Sequence, residues 1–202
     1  MPPPHELRAW TRQSKDQDNL IYTISTDPSL IQLDALDAAF RSDMLYWAKP
    51  LSPAQLKLCV EQSLCLGLYV VQQHDTPPPP LPPSQSQEAA EKMSQGDRGG
   101  KNEMIGLARL VTDYTTFGYL TDVYVLPAHQ GRGLGRWLMA CLDEVLGSWP
   151  DLRRCLLFTR GEAAVRMYGE TLGARDVRRV GGILLWEAAG ARLRVEIIRG
   201  SD

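Results

Sequence analysis

Apolar positions along the chain switch between a period of two and a period near 3.6, and the switches mark the elements. Residues 20–26 (LIYTIST) are rich in β-branched side chains and end at Asp27-Pro28, which predicts a strand and a turn. Over 30–40, Ile31, Leu33, Ala35, Leu36, Ala39 and Phe40 recur at helical spacing. Ser52-Pro53 opens a second helix, proline being suited to the first helical position, with Leu56, Cys59, Val60 and Leu64 as its stripe. A strand over 66–72 follows, and strands over 103–112 and 119–126 flank a turn at 113–118. Residues 134–146 give the clearest helix, with Leu134, Trp137, Leu138, Cys141, Leu142, Val145 and Leu146 on one face. A strand over 155–159, a helix over 162–172 stopped by Gly173, and strands over 183–187 and 193–198 complete the series. Two early helices, a central hairpin and late strand–helix units predict the α/β class: a mixed sheet with covered faces.

Between the strands at 66–72 and 103–112 the pattern stops. Residues 73–101 hold six of the chain's fourteen prolines, and their other apolar residues are Leu81, Ala89, Ala90 and Met93. That is too little apolar surface to offset ordering entropy, so a low-complexity, disordered insertion with a polyproline II start is expected. A proline-rich ligand for an SH3-like partner is the alternative. The 202 residues suit one domain over 1–202, able to bury about 70% of its unfolded surface without disulfides or metal.

Lysine plus arginine number 22 against 24 aspartate plus glutamate, a net charge of −2 that argues against a nucleic-acid partner. No apolar run reaches the roughly 18 residues that span a bilayer, and Met1-Pro-Pro-Pro-His-Glu lacks a secretory pattern. No membrane partner and a cytoplasmic location are therefore expected. Cys59, Cys65, Cys141 and Cys155 lack metal-type spacing, and none of His5, His74 and His129 lies close to one. They read as buried thiols, and no metal site is expected.

The strongest chemical signal lies between the strand ending at Leu126 and the long helix, in Pro127-Ala128-His129-Gln130-Gly131-Arg132-Gly133-Leu134-Gly135-Arg136. Glycines at alternate positions let the backbone approach a ligand and turn into the helix. The helix start offers free N–H groups and the positive end of its dipole, while Arg132 and Arg136 add charge, so a phosphate or pyrophosphate cradle is expected. A P-loop needs Gly-Lys-Ser/Thr, and Gly135 is followed by Arg136-Trp137. A dinucleotide fingerprint needs GxGxxG, and this is GxGxG.

The loop resembles the Gln/Arg-x-x-Gly-x-Gly/Ala motif of the GNAT N-acetyltransferase superfamily, with Gln130, Gly133 and Gly135 at its defining positions. The order of elements is similar along essentially the whole globular chain, in a little-defined microbial branch. The resemblance implies an acyl-CoA N-acyltransferase fold with acetyl-CoA as cosubstrate. It implies that backbone from Val123, Tyr124 and Val125 holds the pantetheine arm, and that N–H groups from Gln130, Gly131, Arg132, Gly133, Leu134, Gly135 and Arg136 hold the pyrophosphate. Tyr168 is implied as the acid that protonates the departing thiolate. The family pattern is Tyr-x-x-Leu/Phe-Gly, however, and Tyr168-Gly169-Glu170-Thr171-Leu172-Gly173 has one residue more, so a core tyrosine is the other reading. For the acceptor's proton, Asp122 is the candidate base and Asp113 the runner-up, with a structural acceptor as the alternative for Asp122. Acceptor specificity is implied in 41–50, where Tyr46, Trp47 and Asp43 form an apolar wall with charge, or where the aromatics pack the helix hairpin.

The expected function is transfer of an acetyl group to a primary amine of an unidentified acceptor, a small molecule. The alternatives are a non-catalytic acyl-CoA-binding sensor and an interaction protein on the same scaffold. Oligomeric state, a homodimer included, is left open.

Overall fold

The computed structural model describes residues 6–16, 18–45, 48–72, 102–176 and 195–199. Their strands form one eight-stranded sheet. β1 (Ala9–Gln13), β2 (Leu20–Ser25), β3 (Leu64–Gln72), β4 (Glu103–Thr112) and β5 (Phe117–Val125) pair antiparallel in chain order. β6 (Arg154–Thr159) lies parallel to β5, and β8 (Val195–Arg199) stands between β6 and the short β7 (Arg175–Asp176). The insertion over 73–101 and the strand over 183–187 lie outside the described residues, as do Tyr46 and Trp47.

Helices cover both faces. α1 (Leu33–Arg41) and α2 (Pro53–Glu61) lie on one, α3 (Leu134–Gly147) and α4 (Glu162–Leu172) on the other. The period of two in β3 explains how a single strand serves both layers. Leu64, Leu66, Leu68 and Val70 join the core under α3 and α4, while Cys65 and Tyr69 join the core under α1 and α2. The stripe on α3 buries Leu134, Leu138, Cys141, Leu142, Val145 and Leu146, as its spacing predicts, but Trp137 is only partly covered and Met139 is buried in addition. α2 begins with a capping box: Ser52 Oγ accepts from the Gln55 N–H, and Gln55 Oε1 accepts from the Ser52 N–H. α1 starts later than its apolar spacing predicts, because the Asp27 carboxylate caps a separate turn at Pro28–Leu30.

β5 carries the irregularity that shapes the site. Thr121 faces Arg109 of β4, but the next partners are Tyr124 and Leu107, so Asp122 and Val123 together oppose Ala108. This is a β-bulge, and Asp122 sits in it at a φ of +50°. The extra residue reverses the alternation downstream. Leu120 enters the core under α3 and α4, whereas Tyr124, four residues on, enters the core under α1 and α2. On its other edge β5 pairs with β6 only from Phe117 to Leu120. Beyond Leu120 the two strands part.

Candidate functional site

The parting of β5 and β6 opens a cleft of about 560 Å³. Thr121 to Val125 of β5 line one wall and Leu157, Phe158 and Thr159 of β6 the other. Ala164, Met167 and Tyr168 of α4 close one side, and Met44 and Leu45 reach in from the turn after α1. The Leu126 N–H donates to the Ile105 carbonyl of β4 at 2.7 Å. Strand alternation then turns the backbone of Tyr124 toward β4 and that of Val123 and Val125 toward the cleft, where no strand pairs with it. An extended ligand arm can add to that edge as a strand would.

The glycine loop stands at the end of the same edge, and Gln130 and Gly135 line the same cleft. Gln130 donates from Nε2 to the Val125 carbonyl at 2.8 Å, which ties the loop to the strand. Gly131 and Gly133 adopt φ values of +78° and +72°, and a Cβ at either would meet nothing within 4 Å. The turn thus needs glycine for its backbone conformation and leaves open space above it. α3 begins at Leu134 with no side-chain cap and no acidic residue in its first turn. Among the described residues no acceptor engages the N–H groups from Gly131 to Arg136, which leaves them free to receive one at the helix start. The Gln130 N–H is already given to the Pro127 carbonyl at 3.2 Å, so the free N–H groups start one residue later than expected.

The arginines correct a second expectation. Arg132 pairs with Asp16 at 2.9 Å and with Asp18, both on the β1–β2 hairpin, and Arg136 pairs with Glu170 of α4 at 2.5 Å. Their charge is balanced by carboxylates that the sequence places far away. Arg12 supports the loop from below: its Nη2 donates to the Arg132 carbonyl at 3.2 Å, and its guanidinium lies 4.7 Å from the Trp137 ring centre. At Gly135 a Cβ would stand 3.6 Å from Met167 Sδ, an ordinary contact between α3 and α4.

Tyr168 is buried and lines the cleft. Burial pushes its pKa up to about 12, so the phenol keeps its proton throughout the neutral range. The extra residue that separates it from the usual pattern falls after it, in the last turn before Gly173 ends α4 at a φ of +63°. Rotation of a helical side chain is counted from where the helix starts, so an insertion on the C-terminal side leaves Tyr168 facing the cleft. Asp122 also lines the cleft, but its carboxylate is bound by the Arg109 guanidinium at 2.7 Å. Asp113 has a different task. It accepts from the N–H groups of Thr115, Thr116 and Phe117 and from the Thr116 hydroxyl, which shapes the β4–β5 turn. Those bonds, the Thr116 hydroxyl first, hold its pKa far below the usual carboxylate range. As a turn former it is not placed to take a proton in the cleft.

A profile described as "Acetyltransferase (GNAT) family" matches residues 68–174. A protein of Gibberella zeae described as a "Putative acetyltransferase" is 39% identical over 178 residues, 86% of this chain and 86% of the relative. The chain belongs to the GNAT acetyltransferase family. A solved structure from Xanthomonas campestris pv. campestris, described as a "putative acetyltransferase belonging to the gnat family", is 30% identical. It covers 73% of this chain and 82% of its own, with a TM-score of 0.49. A "Probable Acetyltransferase" from Staphylococcus aureus, 14% identical over 83% of this chain and 99% of its own, shares the fold with a TM-score of 0.51.

Within this GNAT fold the expected strand edge, Gln130 and Gly135 of the glycine loop, Tyr168 and Asp122 meet at one cleft, whereas Gly131, Arg132 and Gly133 line a separate hollow of about 300 Å³ with Arg12, Asp16 and Tyr22. Asp43 begins the Asp43–Leu45 turn but does not line the cleft; its neighbours Met44 and Leu45 do. Sequence reasoning had marked that segment through its aromatic residues and overlooked these two. Their signal was position alone, in the connection between α1 and α2. Met167 was likewise overlooked, although it stands beside Tyr168 on the same helix and against Gly135.

Proposed function

We propose that this GNAT protein is an N-acetyltransferase that moves the acetyl group of acetyl-CoA to a primary amine of a small-molecule acceptor. The observation that carries this reading is the unpaired backbone edge of β5 running directly into a glycine loop with free helix-start N–H groups. An extended amide-bearing arm suits the edge, and a pyrophosphate suits the loop. The open space over Gly131 and Gly133 meets the steric demand of such a ligand.

Bound acetyl-CoA supplies an activated acyl thioester. The N–H groups of Val123 and Val125 hold the arm, and those from Gly131 to Arg136 hold the pyrophosphate, assisted by the loop geometry that Gln130 fixes. Tyr168, kept neutral by burial, donates its phenolic proton to the thiolate as the carbon–sulfur bond breaks, and the phenolate then takes a proton back from water. The amine attacks the acyl carbon and gives up its proton to water; most of the rate then comes from positioning and the Tyr168 proton. The segment that holds Asp43, Tyr46 and Trp47 selects the amine, and Met44 and Leu45 of that segment line the cleft. One domain over 1–202, interrupted at 73–101 between two paired strands, carries the activity. Four free cysteines suit a reducing cytoplasm, where acetyl-CoA is available.

The test is a panel of primary amines incubated with the full chain and acetyl-CoA, with free CoA thiol followed over time. Amine-dependent thiol release is expected with at least one chemical class. Tight CoA binding without amine-dependent release across a broad panel would contradict the enzyme reading and favour a sensor.

A further inference from the structure

Asp122 is only 4% exposed and stands in left-handed backbone, a conformation that persists in a non-glycine residue when its surroundings hold it. Arg109 of β4 supplies the hold. Its Nε donates to Asp122 Oδ2 at 2.7 Å, and its Nη1 donates to the Ser63 hydroxyl at 3.1 Å. The Thr121 hydroxyl donates to Oδ1 of the same carboxylate at 3.2 Å. Both oxygens are thus engaged at the bulge that sets the phase of the rest of β5. Without the extra residue, Tyr124 would share the face of Leu120, and the backbone of Val123 and Val125 would turn toward β4 instead of the cleft.

We propose that Arg109 and Asp122 are a pair of positioning residues: their ion pair holds the β5 bulge and thereby aims the Val123 and Val125 backbone at the acyl donor. This rests on the acetyl-CoA reading of the cleft. It gives Asp122 a part different from that of general base, because its carboxylate works through Arg109 and the strand.

The test compares the wild type with Asp122→Asn, Arg109→Met and the double variant. Each is titrated with CoA by calorimetry and assayed with an accepted amine across the neutral pH range, below its unfolding transition. The pairing predicts that each single variant weakens CoA binding roughly tenfold and lowers kcat by up to about 10²-fold. It predicts a double variant no worse than either single one, and an unchanged shape of the pH profile in Asp122→Asn. A fall in kcat confined to Asp122→Asn, with CoA affinity kept and one ionisation lost from the profile, would identify a base and overturn the proposal. Lower melting temperatures with normal affinity and turnover would overturn it too, as a merely structural pair. If Arg109→Met does not fold, Arg109→Lys takes its place, since it keeps the charge and loses the planar fork. Failure of the wild type to bind CoA would overturn the acetyl-CoA reading itself, and is seen before any substitution is made.

Discussion

Replacing Tyr168 with phenylalanine removes one oxygen from a ring that is only 8% exposed and keeps the packing of the ring against the α3 and α4 core. Burial is the cause that raises its pKa to about 12, and no described residue bonds the hydroxyl. The variant therefore loses no internal hydrogen bond to the described residues, and its stability should change by about 1 kcal/mol or less. In a chain of this size that is a melting shift of roughly 2–4 °C at most. Turnover should respond quite differently. Loss of a positioned proton donor costs about 10²–10⁴ in kcat, equivalent to roughly 3–5 kcal/mol of barrier. Affinity for CoA, measured by calorimetry, should stay unchanged because the phenol acts only as the thiolate forms. The pH dependence has a definite sign. The folded pKa lies above the unfolded value of about 10, so the neutral phenol stabilises the fold fully below that pH and less as pH rises toward 12. The acid therefore stays competent through mildly alkaline pH, and kcat should show no Tyr168 limb there. A phenylalanine variant within about threefold of wild-type kcat would refute the assignment.

Gly133→Val should weaken CoA binding at least tenfold, by roughly 1–3 kcal/mol of backbone strain at a φ of +72° and by a side chain in the space over the loop; calorimetric titration of the folded variant decides it. Replacing 73–101 by a short hairpin turn should leave CoA affinity and turnover intact, because Val70 and Glu103 already face each other across an antiparallel pair; steady-state kinetics would reveal a loss. Asp113→Ala should loosen the β4–β5 turn, with an effect largest above the ordinary carboxylate pKa of about 4 and fading in strong acid as the native carboxylate takes up its proton. Melting temperatures of both proteins over a pH series check this sign.

Much of the fold was legible because apolar spacing is a local signal. β4 spans Glu103–Thr112 and α4 spans Glu162–Leu172 where their patterns predict them. β1 was missed because Ala9–Gln13 is a partly exposed edge strand, polar at most positions and without an apolar face to announce it. The glycine loop was legible because its backbone needs override side-chain chemistry. What spacing could not reveal was partnership across the fold. Nothing local tells that Asp16 and Asp18 reach Arg132, that Glu170 reaches Arg136, or that Arg109 meets Asp122. The bulge left one trace: Asp122 falls between Leu120 and Tyr124 in the buried phase of β5, where a regular strand would place an apolar residue. A charge in that position marks a break in the alternation. The spacing of Tyr168 from Gly173 left its direction open in the sequence; the structure puts its side chain at the cleft.

The β5 edge and the glycine loop are proposed to receive acetyl-CoA together. The most direct measurement is a titration of the isotope-labelled full chain with acetyl-CoA, followed by backbone amide resonances. The largest shifts should fall on Val123, Val125 and the amides from Gly131 to Arg136, with Tyr168 and its neighbours moving at the same ligand concentration. Saturating acetyl-CoA that leaves those amides in place, or that shifts a different surface, would contradict it.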